Sequence, residues 1–258
     1  MRPYRIWWIA YQTLVVKEIL RFSRIWIQTI LPSAITTALY FLIFGKLIGE
    51  RIGEMDGYPY IDFIVPGLIL MAVITNSYAN VVSSFYSSKF QRHIEELLVA
   101  PVPNWVILAG YLSGGVARGL AVGVAVTLVA ILFTDFSIHS YPLTFAIFLF
   151  TAILFSLAGF INAIYARTFD DISIVPTFIL TPLTYLGGIF YSIQLLPELW
   201  QKVSLLNPIL YMINAFRYGL LGVSDINPVI AVAIILAFIV GLGLFSLYLL
   251  ERGTGVKG

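Results

Sequence analysis

The chain has 258 residues, 60% of them apolar and 11% charged, with a mean hydropathy of +0.94. Soluble domains hold roughly 45–50% apolar and about 25% charged residues, so a water-soluble fold is excluded. The formal charge of +2 is too small to argue for a nucleic-acid partner. With no cysteine and only two histidines, His93 and His139, disulfides, thiolate chemistry and a histidine metal centre drop out as well.

Residues 1–25 carry positive charge throughout and lack a small-residue cleavage site after an apolar core, so they do not read as a signal peptide. On a 3.6-residue wheel Trp8, Tyr11, Val15, Ile19, Phe22 and Trp26 share one face, and Thr13, Lys17, Arg21 and Arg24 share the other. The pattern predicts an amphipathic helix lying in the membrane interface with its basic side toward the cytoplasm. Such a helix serves as an anchor or as a contact for a partner subunit.

A spanning helix needs about 20 mostly apolar residues. Six stretches qualify, at 26–48, 60–84, 104–133, 142–166, 172–193 and 227–250, which predicts one all-α integral membrane domain over 26–258. With both termini on the cytoplasmic side, the inner basic residues are Arg2, Arg5, Lys17, Arg21, Arg24, Lys89, Arg92, Arg167, Arg252 and Lys257. The outer ones are then only Lys46, Arg51, Lys202 and Arg217, as the positive-inside rule requires.

The inner connection 87–103 is the most informative polar segment. Ser88 and Gln91 have the spacing of a capping box, Phe90, Ile94, Leu97 and Leu98 form one helical stripe, and Arg92 is spaced to pair with Glu95 or Glu96. Pro101 and Pro103 then end the helix. A short amphipathic helix between two spans suits a docking element, and equally a solvated connector. In the third span Gly110, Gly114, Gly115, Gly119 and Gly123 make small-xxx-small rows for close helix packing. Arg118 sits among them, where an unpaired guanidinium costs about 2.5–3.5 kcal/mol on insertion scales; it is expected to be paired inside the bundle.

Asp170 and Asp171 suit the positive end of the fifth helix, in which Pro176 and Pro182 predict a kink. The stretch 195–222 is too short and too polar, with Asn214 and Arg217, to be a seventh span. It reads as two short helices, 195–206 and 209–221, broken at Asn207-Pro208 and folded as a re-entrant hairpin on the outer side. There is no G-x-x-x-x-G-K-[ST] phosphate loop. The G-x-G-x-x-G match at 253–258 has no helix after it to offer a dipole and is rejected as a nucleotide site.

Four blocks carry a family resemblance: FIVPG at 63–67, KFQRHIEELLVAPVP at 89–103, TFDDISIVPTFILTP at 168–182 and NPILYMINAFRYGLLG at 207–222. In the last, the pattern N-P-x-x-Y-x-x-x-x-F-R-Y-x-x-x-G falls on Asn207, Pro208, Tyr211, Phe216, Arg217, Tyr218 and Gly222. On these blocks the chain resembles the permease subunits of type-2 ABC exporters, in particular the YadH-like members of the bacterial inner membrane.

The resemblance implies a six-helix subunit that dimerises and binds two copies of a cytoplasmic ATPase, which would hold the ATP and magnesium; the chain itself would carry no cofactor. It implies that the helix containing Lys89, Phe90, Arg92, His93, Glu95, Glu96 and Leu97 couples to that ATPase, that the helix bearing Lys17, Arg21 and Arg24 flanks it, and that the 195–222 hairpin closes the outer end of the pathway. Export of an amphipathic, lipid-linked or glycan substrate is the expected function. A standalone secondary transporter or channel, and a membrane assembly subunit, are the rivals; the first would ordinarily show internal repeats or several intramembrane charges, and neither is evident.

Overall fold

The computed structural model describes residues 3–134 and 138–255. Helix α1 is Pro3–Ser23. α2, Trp26–Tyr40, runs through a π-helical turn at Phe41–Ile48 into α3, Gly49–Ile52. A hairpin pairs β1, Glu54–Met55, with β2, Tyr58–Pro59. Its tip residues Asp56 and Gly57 both hold positive φ, 52° and 82°, which is the geometry Asp-Gly favours. α4 (Tyr60–Phe90), α5 (His93–Val99), α6 (Asn104–Ile131) and α7 (Tyr141–Tyr165) follow. Then come α8 (Asp171–Val175), α9 (Thr181–Tyr185), α10 (Glu198–Ser204), α11 (Pro208–Leu221) and α12 (Pro228–Arg252).

Five helical stretches have the length and hydropathy to cross a membrane: Trp26–Ile52, α4, α6, α7 and α12. The predicted fifth span, 172–193, takes another form. Three five-residue pieces, α8, a π turn at Pro176–Leu180 and α9, make a helix that stops at Tyr185, about 22 Å long at 1.5 Å per residue. Pro176 and Pro182 each remove a backbone donor, the ladder widens between them, and Thr181 Oγ1 donates to the Pro176 carbonyl at 2.9 Å. The expected kink is present as that π turn.

α4 is the hub. Of its most apolar window 78% is buried, against 17% for Trp26–Ile52 and for α12, so α4 carries the core while the other two show most of their surface outward. α6 and α7 pack along α4, and the predicted glycine row works inside the chain. At Gly114 a Cβ would lie 2.5 Å from the Cβ of Glu18 on α1.

A 31-residue helix is about 46 Å long, so the two ends of α4 define two ends of the bundle. At one lie α5, the start of α6, the end of α7 and Gly255, where an added Cβ would meet the Ile164 carbonyl. At the other, Tyr60 Oη donates to the Phe190 carbonyl at 2.9 Å, Tyr58 Oη donates to the Leu221 carbonyl, and α11 packs against α4, α7 and α12.

Candidate functional site

At the α5 end the local structure departs from the predicted single helix over 88–99. α4 continues to Phe90, so Ser88 is buried within it and accepts a hydrogen bond from Tyr111 Oη at 2.9 Å instead of capping. The chain reverses at Arg92, which holds φ 61° and ψ 7°, and α5 begins only at His93. A left-handed conformation is unfavourable for any side chain but glycine, so an arginine there is kept at a cost.

The predicted coupling residues divide in two. Lys89 is turned inward, where its Nζ donates to the carbonyls of Ile164 at 2.6 Å and Ala166 at 2.7 Å and closes the C-terminus of α7. Ile94 is buried and Leu97 and Leu98 are half-buried, which fixes α5 to the bundle. Phe90, expected in that stripe, is instead 64% exposed and meets the Phe169 ring at 5.2 Å. Arg92, His93, Glu95 and Glu96 all face outward. The expected Arg92–glutamate pair is not made; the ion pairs among the described residues are Lys17–Glu18 and Arg21–Glu18.

Beside this surface, Asp171 and Thr168 form a reciprocal cap. Asp171 Oδ2 accepts from the backbone N–H of Arg167 at 2.8 Å and of Thr168 at 3.1 Å, and Thr168 Oγ1 accepts from Asp171 N–H at 3.2 Å. Those N–H groups hold the Asp171 carboxyl below its ordinary pKa. The capping role foreseen for the aspartate pair thus falls to Asp171 alone.

α1 packs on α6 through the side that carries Leu14 and Glu18, while Trp8 and Ile19 of the predicted apolar face are exposed. The cause is specific contact: the bare surface of Gly114 admits Glu18, which is fully buried. Its Oε1 accepts from Ser84 Oγ at 2.6 Å and lies 3.5 Å from Lys17 Nζ. Its Oε2 takes Arg21 Nε at 3.3 Å. Arg21, expected on the outward basic face, turns in and donates through Nη2 to Asn80 O and Oδ1, both at 2.8 Å; Lys17 and Arg24 stay exposed. One turn along α4, Asn76 Oδ1 accepts from Arg118 Nη2 at 3.3 Å. The partner of Arg118 inside the bundle is thus a neutral amide.

At the other end, each residue of the Asn207–Gly222 block has a contact. Asn207 caps α11 by accepting from Ile209 N–H at 3.0 Å, and its Nδ2 donates to the Leu183 carbonyl at 2.6 Å. Pro208 occupies the first turn, where a missing N–H costs nothing. Tyr211 Oη donates to the Leu205 carbonyl at 2.7 Å. Phe216 stacks on Phe148 and Tyr218 meets the edge of His139. Arg217 is 1% exposed, with Nη2 on the Gly188 carbonyl at 2.6 Å and its guanidinium 3.8 Å from the Phe63 ring centre. Gly222 ends the helix at φ 78°, a conformation glycine adopts freely.

Residues 9–221 match the ABC-2 type transporter family. The chain belongs to that family. It is 57% identical over 252 residues, 98% of each chain, to the inner membrane transport permease YadH of Escherichia coli (strain K12). It is 26% identical to nodulation protein J of Sinorhizobium fredii, with 83% of this chain and 84% of that one aligned. The same-named protein of Rhizobium leguminosarum bv. viciae is 23% identical over 88% of each. An ABC-2 transport permease is a multi-pass membrane protein of a transport family, not of an enzyme family, and the five long apolar helices accord with that. Three residues that organise the seam between α1, α4 and α6 of this ABC-2 permease, Glu18, Asn76 and Asn80, were not foreseen in the sequence. The one available signal was Glu18 as the single acid among the basic residues of α1.

Proposed function

We propose that the chain is the membrane subunit of an ATP-driven ABC exporter, acting as a pair of copies with two copies of a separate cytoplasmic ATP-binding subunit. In this reading both termini and α5 face the cytoplasm, and α10–α11 form a re-entrant hairpin at the outer end. The substrate is amphipathic, lipid-linked or a glycan. ABC-2 permeases work with an ATP-binding subunit, and nothing in the sequence offers a phosphate-binding loop of its own.

The observation that carries the reading is α5. Three apolar anchors hold a short helix at the end of the longest helix of the bundle, so that it cannot fold away, while Arg92, His93, Glu95 and Glu96 remain exposed on its outer side. Force applied there passes straight into α4, which runs the length of the bundle. α1, packed on α6 beside it, is placed to move with the same body.

The test is reconstitution of the permease with its ATP-binding subunit in vesicles, followed by transbilayer movement of a fluorescent glycolipid. ATP-dependent movement that stops with a hydrolysis-deficient ATPase is the expected result. Movement that persists without the ATPase would make the chain a secondary transporter or channel.

A further inference from the structure

Around Glu18 the charges do not balance. Lys17 and Arg21 share one carboxylate, and both of its oxygens are engaged: Oε1 by Ser84 and Lys17, Oε2 by Arg21. Asn76 and Asn80 are one turn apart on α4 and hold Arg118 and Arg21 respectively, which sets the two guanidinium groups about one helical turn from each other. No carboxylate among the described residues lies against Arg118.

The unmet capacity at this place is mostly of one kind. Arg118 Nε, Asn80 Nδ2 and Ser77 Oγ are buried without a hydrogen-bond partner, and each can donate. The amide orientations are fixed by the arginines, since both Asn76 Oδ1 and Asn80 Oδ1 already accept from guanidinium. Surplus donors and surplus positive charge call for an anion.

Asn76 also lines a groove of about 220 Å³ between α2 and α4. Ser33, Thr36, Thr37, Tyr40 and Thr75 give that groove a row of hydroxyls. Along α2 it is bordered by Leu31, Ile35 and Leu39, all exposed. A ligand fitting this setting has an anionic head at the Arg118 end and an apolar body along the bundle.

We propose that Arg118, with Arg21 one turn away, binds the phosphate of a net-anionic amphipathic lipid at the α5 end of the groove between α2 and α4. The guanidinium fork matches two phosphate oxygens at once, which an ammonium does not, and an anion supplies the countercharge that the bundle withholds from Arg118. The proposal rests on the membrane setting of the chain and not on ATP coupling, so it stands or falls separately from the exporter reading.

The test uses the purified full-length protein in a neutral detergent, with dioctanoyl phosphatidylglycerol, dioctanoyl phosphatidylcholine or inorganic phosphate added and bound ligand counted by native mass spectrometry. Wild type is expected to take the anionic lipid in preference to the zwitterionic one, and Arg118→Gln to weaken that binding about tenfold. Competition by inorganic phosphate would identify a site for phosphate from any source; lack of competition would identify the lipid headgroup as the source. Equal binding of both lipids by wild type, or undiminished anionic-lipid binding by Arg118→Gln, overturns the proposal. Should Arg118→Gln not yield folded protein, Arg118→Lys supplies the reading: it keeps the charge, loses the fork and is expected to bind several-fold more weakly, and unaltered affinity overturns the proposal.

Discussion

Arg118 and Arg217 are both arginines set into an apolar bundle, and they are accommodated in opposite ways. Arg217 is enclosed by its own neighbourhood: α11 supplies it, the Gly188 carbonyl accepts from its Nη2 and the Phe63 ring covers its face, while its Nε and Nη1 have no hydrogen-bond partner. Arg118 lies half-open beside a groove, with Asn76 as its hydrogen-bond partner and Arg21 held one turn further along α4. A buried guanidinium closed over by its own turn and a ring has no room for a ligand and reads as architecture. One beside an open groove reads as a place for something else.

The largest effect should come from the sealed one. Arg217→Ala leaves the Gly188 carbonyl without its donor and removes the contact with Phe63, and a loss of about 3 kcal/mol is expected, read as a lower melting temperature in detergent. A melting curve like the wild type's would mean that the Arg217 contacts hold nothing together. On the other side of the comparison, Glu18→Gln keeps the size but removes the one negative charge shared by Lys17 and Arg21. A cost of about 2 kcal/mol is expected, less than for a fully buried ion pair because Lys17 and Arg21 are partly exposed, together with easier proteolysis of α1. Resistance equal to the wild type's would show that α1 is held by Leu14 alone.

A smaller loss, about 1 kcal/mol, is expected for Asn207→Ala from the helix cap, with more if the bond to the Leu183 carbonyl also matters; thermal melting of the purified protein reads it. The smallest effect concerns Asp171 and pH. Its folded pKa is depressed, so its contribution is full above the unfolded value, near 3.9, and is lost as pH falls through the lower folded value. Melting measured between about pH 5 and pH 3 should decline less steeply for Asp171→Asn than for wild type. Parallel declines would remove Asp171 from the account.

The same contrast explains what was legible in the sequence. The α11 block is contiguous, and its cap, its proline and its terminal glycine each act within a turn or two, so the helix and its break at Asn207-Pro208 could be read from local rules. The inner cluster is assembled from 17–21 on α1, 76–84 on α4 and 114–118 on α6, and no local rule brings those segments together. Hydrophobicity alone did not mark Glu18 as a packed residue of α1, because the pattern does not show that Gly114 leaves room for a carboxylate and that Ser84 donates to it. The coupling segment shows both outcomes. Its outward charges were readable from the pattern, but its start was not, because the helix before it runs on past Ser88 and takes the would-be cap for itself. The fifth stretch was legible in part: its two prolines foretold the break in the ladder, but apolar composition over 172–193 did not show that the helix stops at Tyr185.

The central claim, that α5 is where an ATP-binding subunit docks, is tested most directly by reversing the charges of its two outward residues together, Arg92→Glu with Glu96→Arg, and co-purifying the ATPase at matched permease expression. Both side chains point away from the bundle, so the permease should fold and purify as before. The account predicts a loss of bound ATPase corresponding to about 2–5 kcal/mol for mismatched interface charges, with ATP-driven transport lost in step. A double variant that retains its ATPase as tightly as wild type and transports normally would make α5 a solvated connector and contradict the account.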